Sequence, residues 1–266
     1  MTAADAASHD LATDHALLLD VVREAGALAL SYFRTDVESW DKSPDNPVSE
    51  ADLAVDKLLR DTLMAARPAY GWLSEETADT PDRRTKSHVW IVDPIDGTRA
   101  FLRGTPQFAV SAALVVDGHP VIGAVFNPAQ DELFEAVRGG GARLNGTPIT
   151  VSACTDPTTA RLLASKSTFR AHNWPEVVDG AEFHFVNSMA YRMAVVANGR
   201  FDATITTTNK SEWDIAAAHL IIEEAGGSVT NVDGTPITYN RKHVHHDNVL
   251  CAGKKLHDLL VAGLKN

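Results

Sequence analysis

The chain has 266 residues, 44% of them hydrophobic and 22% charged, which is typical of a globular protein with one large domain or two small lobes. Its formal net charge of −11 argues against a nucleic-acid polymer or an anionic membrane surface as a partner. Two cysteines exclude a disulfide framework, and residues 1–9 do not resemble a signal peptide, so we expect a cytoplasmic protein without a membrane span.

The N-terminal part of the chain predicts two amphipathic helices. Apolar residues recur at helical spacing through residues 11–33, which predicts a long first helix. Residues 36–47 are polar and contain two prolines, so we expect a loop there. Ser49 is a candidate N-cap, and residues 51–66 carry the second helical pattern.

The middle of the chain predicts an antiparallel sheet. Residues 72–74 and 89–92 are short apolar runs typical of buried strands. Residues 108–116, 121–126 and 133–137 follow, separated by Asp-Gly and Asn-Pro turns. We expect these three segments to form an antiparallel meander.

The rest of the chain has a mixed α/β pattern. We expect helices at residues 188–197 and 212–225 and strands at 162–165, 201–205, near 229 and at 249–251. We place a boundary near Val151, which divides the chain into an N-terminal lobe, residues 1–150, and a C-terminal lobe, residues 151–266. The histidines at positions 243, 245 and 246 are interpreted as part of a surface loop, because histidine is a poor ligand for hard cations.

The most informative segment is residues 93–98, Asp-Pro-Ile-Asp-Gly-Thr, at the exit of the strand at 89–92. Pro94 fixes a bend between the two carboxylates, and Gly97 with Thr98 suits a tight turn that opens a helix. Carboxylates at such a turn can hold hard cations, and the free N–H groups of a helix start can hold a phosphate. The segment therefore predicts metal ligands, an anion site and a hydroxyl together.

The spacing of Asp93 and Asp96 also bears on the mechanism. Phosphatases with an aspartate nucleophile place two Asp residues at i and i+2 of one extended segment, whereas here the spacing is i and i+3 around a proline. This spacing favours shared metal coordination over covalent catalysis by a carboxylate. It therefore argues against an aspartyl-phosphate phosphatase or phosphotransferase.

Further acidic residues lie at the ends of predicted elements, where their side chains can point into a shared cleft. Glu75 and Glu76 follow a strand, while Asp52 and Asp214 each lie in the first turn of a helix. Each has an ordinary structural interpretation as well, because a first-turn Asp complements the helix dipole and a Glu-Glu pair is often a solvated loop. From these residues alone, both interpretations stay open.

Three segments in order resemble the signatures of the inositol monophosphatase family of Mg²⁺-dependent, lithium-sensitive phosphomonoesterases. They are Trp-Leu-Ser-Glu-Glu at residues 72–76, Trp-Ile-Val-Asp-Pro-Ile-Asp-Gly-Thr at residues 90–98 and Trp-Asp-Ile-Ala-Ala at residues 213–217. Residues 47–52, Pro-Val-Ser-Glu-Ala-Asp, resemble the family's upstream helix-start motif. The similarity extends from about residue 15 to about residue 253.

The resemblance implies an α/β (α+β) fold built as a layered α-β-α-β-α sandwich, and a homodimer. It implies that Glu75, Asp93 and the Ile95 carbonyl oxygen hold a first Mg²⁺ ion. A second ion would be held by Asp93, Asp96 and Asp214. A third, weaker ion would lie near Glu75, so the site would contain two to three ions.

The same resemblance implies catalytic and substrate-binding roles. Thr98, backed by Asp52, would orient and deprotonate the attacking water, with Glu75 as a further catalytic residue. The backbone N–H groups of Gly97 and Thr98 would receive the phosphate, and Asp214 would also contact the substrate. We therefore expect hydrolysis of a small phosphorylated metabolite by metal-activated water, without a phosphoenzyme.

The substrate is harder to predict, because family members share the metal site and differ in the leaving group. The segment Leu-Ser-Glu-Glu at residues 73–76, with Ser74 rather than glycine, resembles the motif of the 3′(2′),5′-bisphosphate nucleotidases. Arg192 falls where these enzymes often have a Lys that contacts the second phosphate. A helix-surface arginine is the alternative interpretation of Arg192. Thr206 and Thr207 match neither nucleotidases nor inositol monophosphatases.

We expect 3′-phosphoadenosine 5′-phosphate, hydrolysed to AMP, as the first candidate substrate. Inositol 1-phosphate and histidinol phosphate are alternatives with the same mechanism. An alternative of a different class is a non-catalytic metal- or phosphate-binding regulator. It is disfavoured because every motif ligand and Thr98 are present.

Overall fold

The structure is a computed structural model that describes residues 3–44, 46–171 and 174–264, so the first two residues of the polar N-terminal segment lie outside it. Its helices are α1 (Ala3–Tyr32), α2 (Glu50–Ala66), α3 (Thr98–Leu102), α4 (Lys166–Ala171), α5 (Met189–Ala197), α6 (Glu212–Glu224) and α7 (Lys254–Leu264). Its strands are β1 (Ser39–Ser43), β2 (Asn46–Ser49), β3 (Gly71–Ser74), β4 (His88–Asp96), β5 (Ala109–Val116), β6 (His119–Asn127), β7 (Glu132–Val137), β8 (Ala142–Leu144), β9 (Thr147–Ile149), β10 (Arg161–Leu163), β11 (Glu182–His184), β12 (Ala203–Thr206), β13 (Lys210–Ser211), β14 (Gly227–Thr230), β15 (His245–His246) and β16 (Val249–Gly253).

The larger sheet has the strand order β3-β4-β5-β6-β7-β8-β9. β3 pairs with β4 in parallel, and the later neighbours pair antiparallel. The predicted meander is confirmed as β5, β6 and β7. Consecutive antiparallel strands need only short turns, which is why local sequence signals were enough to predict this part of the sheet.

β4 extends further than the sequence predicted, because it continues past residue 92 to Asp96. Its pairing with β5 is regular up to Asp93 and resumes only at Asp96. Pro94 lies in this gap and has no N–H to donate to a neighbouring strand, which explains the irregularity. The two carboxylates of the acidic segment therefore flank a break in the ladder.

The predicted N-terminal helices are confirmed as α1 and α2, which pack on one face of the larger sheet. Val22 of α1 and Leu59 and Leu63 of α2 are buried in the same cluster as Trp90 of β4. Burial of such side chains contributes roughly 1.5–3 kcal/mol each. This packing fixes α2 relative to β4.

The opposite face of the larger sheet is covered by α5 and α6. A Cβ atom on Gly123 of β6 would lie 2.5 Å from the Ala217 carbonyl oxygen of α6, so glycine lets this helix lie directly on the strand. The Ser111 hydroxyl of β5 donates to the Trp213 carbonyl oxygen at 3.2 Å. Both contacts position the first turn of α6, which carries Asp214.

The smaller sheet has the strand order β11-β10-β12-β16-β14. α5 and α6 contact it from one side, and α7 packs on its outer face. The successive layers are α1 with α2, the larger sheet, α5 with α6, the smaller sheet and α7, so the predicted α-β-α-β-α sandwich is confirmed. The division into lobes at residue 150 stays a prediction.

Two local expectations from the sequence were wrong. Residues 36–47 are not only a loop, because β1 and β2 form an antiparallel hairpin in which Trp40 pairs with Val48. All residues of β1 are exposed, so no buried alternation marked this strand. His246 is buried in β15, whereas His243 and His245 are exposed as expected. None of the helices in the described ranges is long and apolar enough to cross a bilayer.

Candidate active site

A cavity of about 340 Å³ lies where β3 and β4 end and where α3, α5 and α6 begin. This volume falls within the roughly 300–1,000 Å³ typical of small-molecule sites. Most of the site residues expected from the sequence line it: Glu75, Asp93, Asp96, Gly97, Thr98, Arg192 and Asp214. Asp52 and Ile95 lie behind Thr98 and contact it by hydrogen bonds.

Asp93 and Asp96 are buried at the end of β4. The Asp93 Oδ1 accepts a hydrogen bond from the Ile95 N–H at 3.1 Å. The Asp96 Oδ2 accepts from the Ser188 hydroxyl at 2.6 Å and from the Ala190 N–H at 2.5 Å. The start of α5 therefore orients Asp96, although the two segments are far apart in sequence.

Asp52 and Asp214 are positioned by the same local motif. The Ser49 N–H donates to the Asp52 Oδ2 at 2.8 Å, and the Ser211 N–H donates to the Asp214 Oδ2 at 2.9 Å. Each Asp thus closes a capping box at the start of its helix. The Asp52 Oδ1 accepts from the Thr98 hydroxyl. One oxygen of Asp52 therefore caps the helix, while the other contacts a residue that lines the cavity. The structural and functional interpretations of this Asp are compatible.

Thr98 opens α3 directly after Gly97, whose φ of 95° is a left-handed conformation that glycine adopts without strain. The Thr98 hydroxyl lies 3.1 Å from the Asp52 Oδ1 and 3.0 Å from the Ile95 carbonyl oxygen. A hydroxyl has one proton, so it donates to one of the two at a time, and the carboxylate is the stronger acceptor. Donation to Asp52 leaves the Ile95 carbonyl oxygen available for another ligand.

Glu75 lines the cavity, but its carboxylate forms an ion pair with the Lys42 Nζ at 2.9 Å. Lys42 also pairs with Glu76 at 2.7 Å, and burial raises the pKa of Glu76 to about 7. As they stand, no three Asp, Glu, His or Cys side chains within the described ranges are arranged to hold a metal ion. Lys42 therefore bonds one oxygen of the Glu75 carboxylate and neutralises part of the negative charge of the cavity when no cation is present.

The carboxylates of the cavity destabilise one another when no cation is present. Burial, together with repulsion from Glu75 and Asp96, raises the pKa of Asp93 well above its ordinary value. Burial also raises the pKa of Asp96 and, with repulsion from Asp96, raises the pKa of Asp214 to about 8. A divalent cation would relieve this repulsion, and Mg²⁺ prefers carboxylate and carbonyl oxygens. The chemistry of these donor groups, although not yet their arrangement, therefore suits Mg²⁺.

We expect the metal-free protein to lose stability as pH rises from about 4 to about 8. The Asp214 pKa is raised to about 8 in the folded state, so its stabilising contribution is complete below the ordinary Asp value and is lost above about 8. Mg²⁺ should reverse this loss and raise Tm by roughly 5–10 °C at a concentration of about 100 Kd. Thermal unfolding in chelator and in Mg²⁺, at about pH 6 and about pH 8.5, measures both effects. A Mg²⁺-induced shift that is larger at the lower pH would contradict the expectation.

Asp56 is a positioning residue that the sequence reasoning missed. Its carboxylate accepts hydrogen bonds from the Ser74 hydroxyl and, at 2.6 Å, from the Thr77 hydroxyl. These bonds fix the segment that carries Glu75 to α2. Asp56 lies one helical turn after Asp52, so two acidic residues on the same helix face were a signal that could have identified it.

Other site residues gave no signal in the sequence. Lys42, Ser188 and Phe185 reach the site from a hairpin and from the segment before α5. The sequence left Lys210 open either as a positive charge beside the cleft or as an exposed loop lysine. It lines the cavity close to Asp214, where its charge opposes the rise of the Asp214 pKa. All four are placed by tertiary packing rather than by a local motif.

Residues 10–266 match the inositol monophosphatase family. The chain therefore belongs to this family, whose members are phosphatases that hydrolyse phosphoric monoesters and generally depend on Mg²⁺. The assignment agrees with the layered fold and with the acidic cavity beside Thr98.

Curated relatives cover most of the chain and carry several names. An inositol-1-monophosphatase of Mesorhizobium japonicum is 40% identical over 73% of this chain and 75% of its own length. A histidinol-phosphatase of Chlorobaculum parvum is 34% identical over 80% of this chain and 84% of its own length. A 3′(2′),5′-bisphosphate nucleotidase CysQ of Aggregatibacter actinomycetemcomitans is 30% identical over 86% of this chain and 89% of its own length. These names agree on phosphate ester hydrolysis and differ in substrate.

Solved structures show the same architecture. The extragenic suppressor protein suhB of Bartonella henselae superposes with a TM-score of 0.81 at 31% identity, covering 94% of this chain and 97% of that one. An inositol monophosphatase of Anabaena superposes with a TM-score of 0.80 at 26% identity, covering 96% of both chains. The fold predicted from the sequence is therefore confirmed independently of the motifs.

Proposed function

We propose that the protein is a Mg²⁺-dependent phosphomonoesterase that transfers a phosphoryl group directly to water. The observation that carries the proposal is the Thr98 hydroxyl, which lies 3.1 Å from Asp52 beside a cavity lined by several carboxylates. Asp52 is buried, and burial raises its pKa, which makes it a better proton acceptor. A hydroxyl that donates to such a carboxylate can accept a proton from water in return.

In this proposal two to three Mg²⁺ ions would be held by Glu75, Asp93, Asp96, Asp214 and the Ile95 carbonyl oxygen. When bound, the ions supply positive charge for the phosphate and acidify the attacking water. Thr98 accepts the proton of that water and passes its own to Asp52. The first N–H groups of a helix have no partner within the helix, so those of Gly97 and Thr98 bind the phosphate.

For the substrate we favour 3′-phosphoadenosine 5′-phosphate, and Arg192 supports this choice. Its Nε and Nη2 donate to the Val186 carbonyl oxygen at 3.1 and 2.7 Å, so the guanidinium is held against the cavity wall. Burial lowers the pKa of Arg192, yet a guanidinium remains charged at neutral pH. A fixed cation beside the phosphate site suits a substrate with a second anionic group.

Arg192→Ala is expected to lower kcat/KM for 3′-phosphoadenosine 5′-phosphate by about 10- to 100-fold, because a hydrogen bond to a charged group is lost. Activity on adenosine 3′-phosphate, which has no second phosphate, should fall by a smaller factor, because on this substrate only the hydrogen bonds of Arg192 to the Val186 carbonyl oxygen are lost. Arg192→Lys is the matched control, since it keeps the charge and should retain most of the preference. Steady-state phosphate release measures both rates, and an equal loss on the two substrates would count against this role.

The alternative substrate is inositol 1-phosphate, which is favoured by the 40% identity with the inositol-1-monophosphatase of Mesorhizobium japonicum. Histidinol phosphate is supported in the same way at 34%. Phosphate release from all three compounds decides between them, and a rate at least ten times higher on inositol 1-phosphate overturns our preference. Failure to hydrolyse any small phosphomonoester in Mg²⁺ would instead support a regulator. The homodimer and the cytoplasmic location also stay proposals.

A further inference from the structure

We infer that Phe185 is a specificity-determining residue that stacks on a planar ring of the leaving group. The enzyme then prefers phosphomonoesters whose leaving group carries an aromatic heterocycle over those of cyclitols or sugars. The inference rests on the proposed function, because it needs the substrate phosphate to lie beside Thr98. It goes further than the proposed function, because it assigns the part of the cavity lined by Phe185 to a chemical class of leaving group.

The first observation is that the Phe185 side chain is exposed. Phe185 is 72% exposed, whereas most large apolar side chains of the described residues are buried in the three core clusters. Leu30, Trp40, Leu53 and Leu259 are also exposed, at 42–44%, but Phe185 is the one of this group that lines the cavity. A phenyl ring that the fold leaves in water at the mouth of a site is a ready surface for an apolar or aromatic ligand group.

The second observation is that the segment presenting Phe185 is tethered on its C-terminal side. Arg192 donates two hydrogen bonds to the carbonyl oxygen of Val186. The N–H and Nδ2 of Asn187 donate to the Gln107 Oε1 at 3.2 and 2.9 Å. These bonds fix the backbone next to Phe185, so fewer conformations of the segment are lost when a ligand stacks on the ring, and the entropic cost of stacking is lower.

The third observation is the position of the ring relative to the reacting groups. Ser188, three residues after Phe185, donates to Asp96, so the segment that carries the ring is bonded to a carboxylate of the candidate metal site. The Arg192 guanidinium carbon lies 5.5 Å from the Phe185 ring centroid, so a cation lies over the ring. A leaving group that points away from Thr98 toward this wall meets an aromatic face and a cation together.

The kinetic test compares wild-type protein and Phe185→Leu on adenosine 3′-phosphate and on inositol 1-phosphate. Stacking of a base on an aromatic side chain corresponds to about a 5- to 100-fold effect. We expect a loss of that size in kcat/KM on adenosine 3′-phosphate and a change of less than about twofold on inositol 1-phosphate. Phe185→Tyr keeps the aromatic face and should restore the rate. Equal changes on both substrates, or no rescue by tyrosine, would overturn the inference.

A binding test separates this inference from the proposed function. Adenosine 5′-phosphate and ribose 5-phosphate share the phosphate and the sugar and differ in the base. Calorimetric titration in the presence of Mg²⁺ should show that Phe185→Leu weakens the first about 5- to 100-fold and the second less than about twofold. If the wild-type protein hydrolyses no phosphomonoester, the proposed function fails, and this pair of affinities still decides the role of Phe185.

The rival explanation is that Phe185 contacts a second copy of the chain. Sedimentation of wild-type protein and Phe185→Leu at equal concentration tests it. We expect the same oligomeric state for both proteins. A change of oligomeric state, together with parallel losses of affinity for both phosphate ligands, would assign the residue to a subunit interface and overturn the inference.

Discussion

Asp93→Asn is expected to lower kcat/KM by about 10³-fold or more, because loss of a metal ligand removes several kcal/mol of transition-state stabilisation. In the proposed site, Asp93 is one of the residues that would hold the ions, and the resemblance to the family implies that two ions would share it. Asparagine keeps an oxygen that can accept the hydrogen bond from the Ile95 N–H, so the local backbone should be preserved. Asparagine lacks the negative charge of Asp93. Neighbouring carboxylates repel that charge, whereas a bound cation needs it.

The stability of the same variant shows whether the loss arises from the metal site or from misfolding. Burial and repulsion from Glu75 and Asp96 raise the pKa of Asp93, so a neutral side chain there should not destabilise the metal-free protein. We expect Tm in chelator to be equal to or above that of the wild type, and the Mg²⁺-induced rise in Tm to be largely lost. Near-normal turnover, or a Mg²⁺-induced rise like that of the wild type, would refute the site.

Local sequence signals were enough for the parts of the fold whose partners lie nearby in the chain. The helical repeat in α1 and α2 and the turns of the β5-β6-β7 meander predicted those elements because burial on one face leaves a periodic trace. β1 left no such trace, since all its residues are exposed. The extension of β4 was missed because Pro94 usually ends or disrupts a strand, whereas here the ladder resumes at Asp96.

The same distinction applies to the candidate site. Asp93, Asp96 and Thr98 form one short segment, so their chemistry could be predicted from spacing. Ser188 contacts Asp96 from 92 residues away, and no local sequence motif predicts this hydrogen bond. The Lys42 ion pair with Glu75 depends on a hairpin that was itself not predicted. The proposed metal ligands were therefore easier to find than the residues that orient them or that we propose to contact the leaving group.

Thr98→Ala is expected to lower kcat by about 10²- to 10⁴-fold, the range typical of a lost proton-transfer group. The Thr98 hydroxyl lies within hydrogen-bond distance of both Asp52 and the Ile95 carbonyl oxygen, whereas alanine contacts neither in this way. The metal ligands themselves are unchanged, so the Mg²⁺-induced rise in Tm should persist. Thr98→Ser keeps the hydroxyl and is the matched control, for which we expect kcat within about tenfold of the wild type.

The proposed transfer of a proton from Thr98 to Asp52 also predicts how variants of the two residues combine. In Asp52→Asn, an amide oxygen can still accept from the Ser49 N–H and cap α2, but the amide nitrogen cannot accept the proton of Thr98. If the two residues act as one unit, the double variant should be little slower than Thr98→Ala alone. Losses that multiply would mean that Asp52 acts independently of Thr98, since two separate functions would then have been removed. Kinetics of the two single variants and the double variant therefore distinguish a proton path through Asp52 from a purely structural cap.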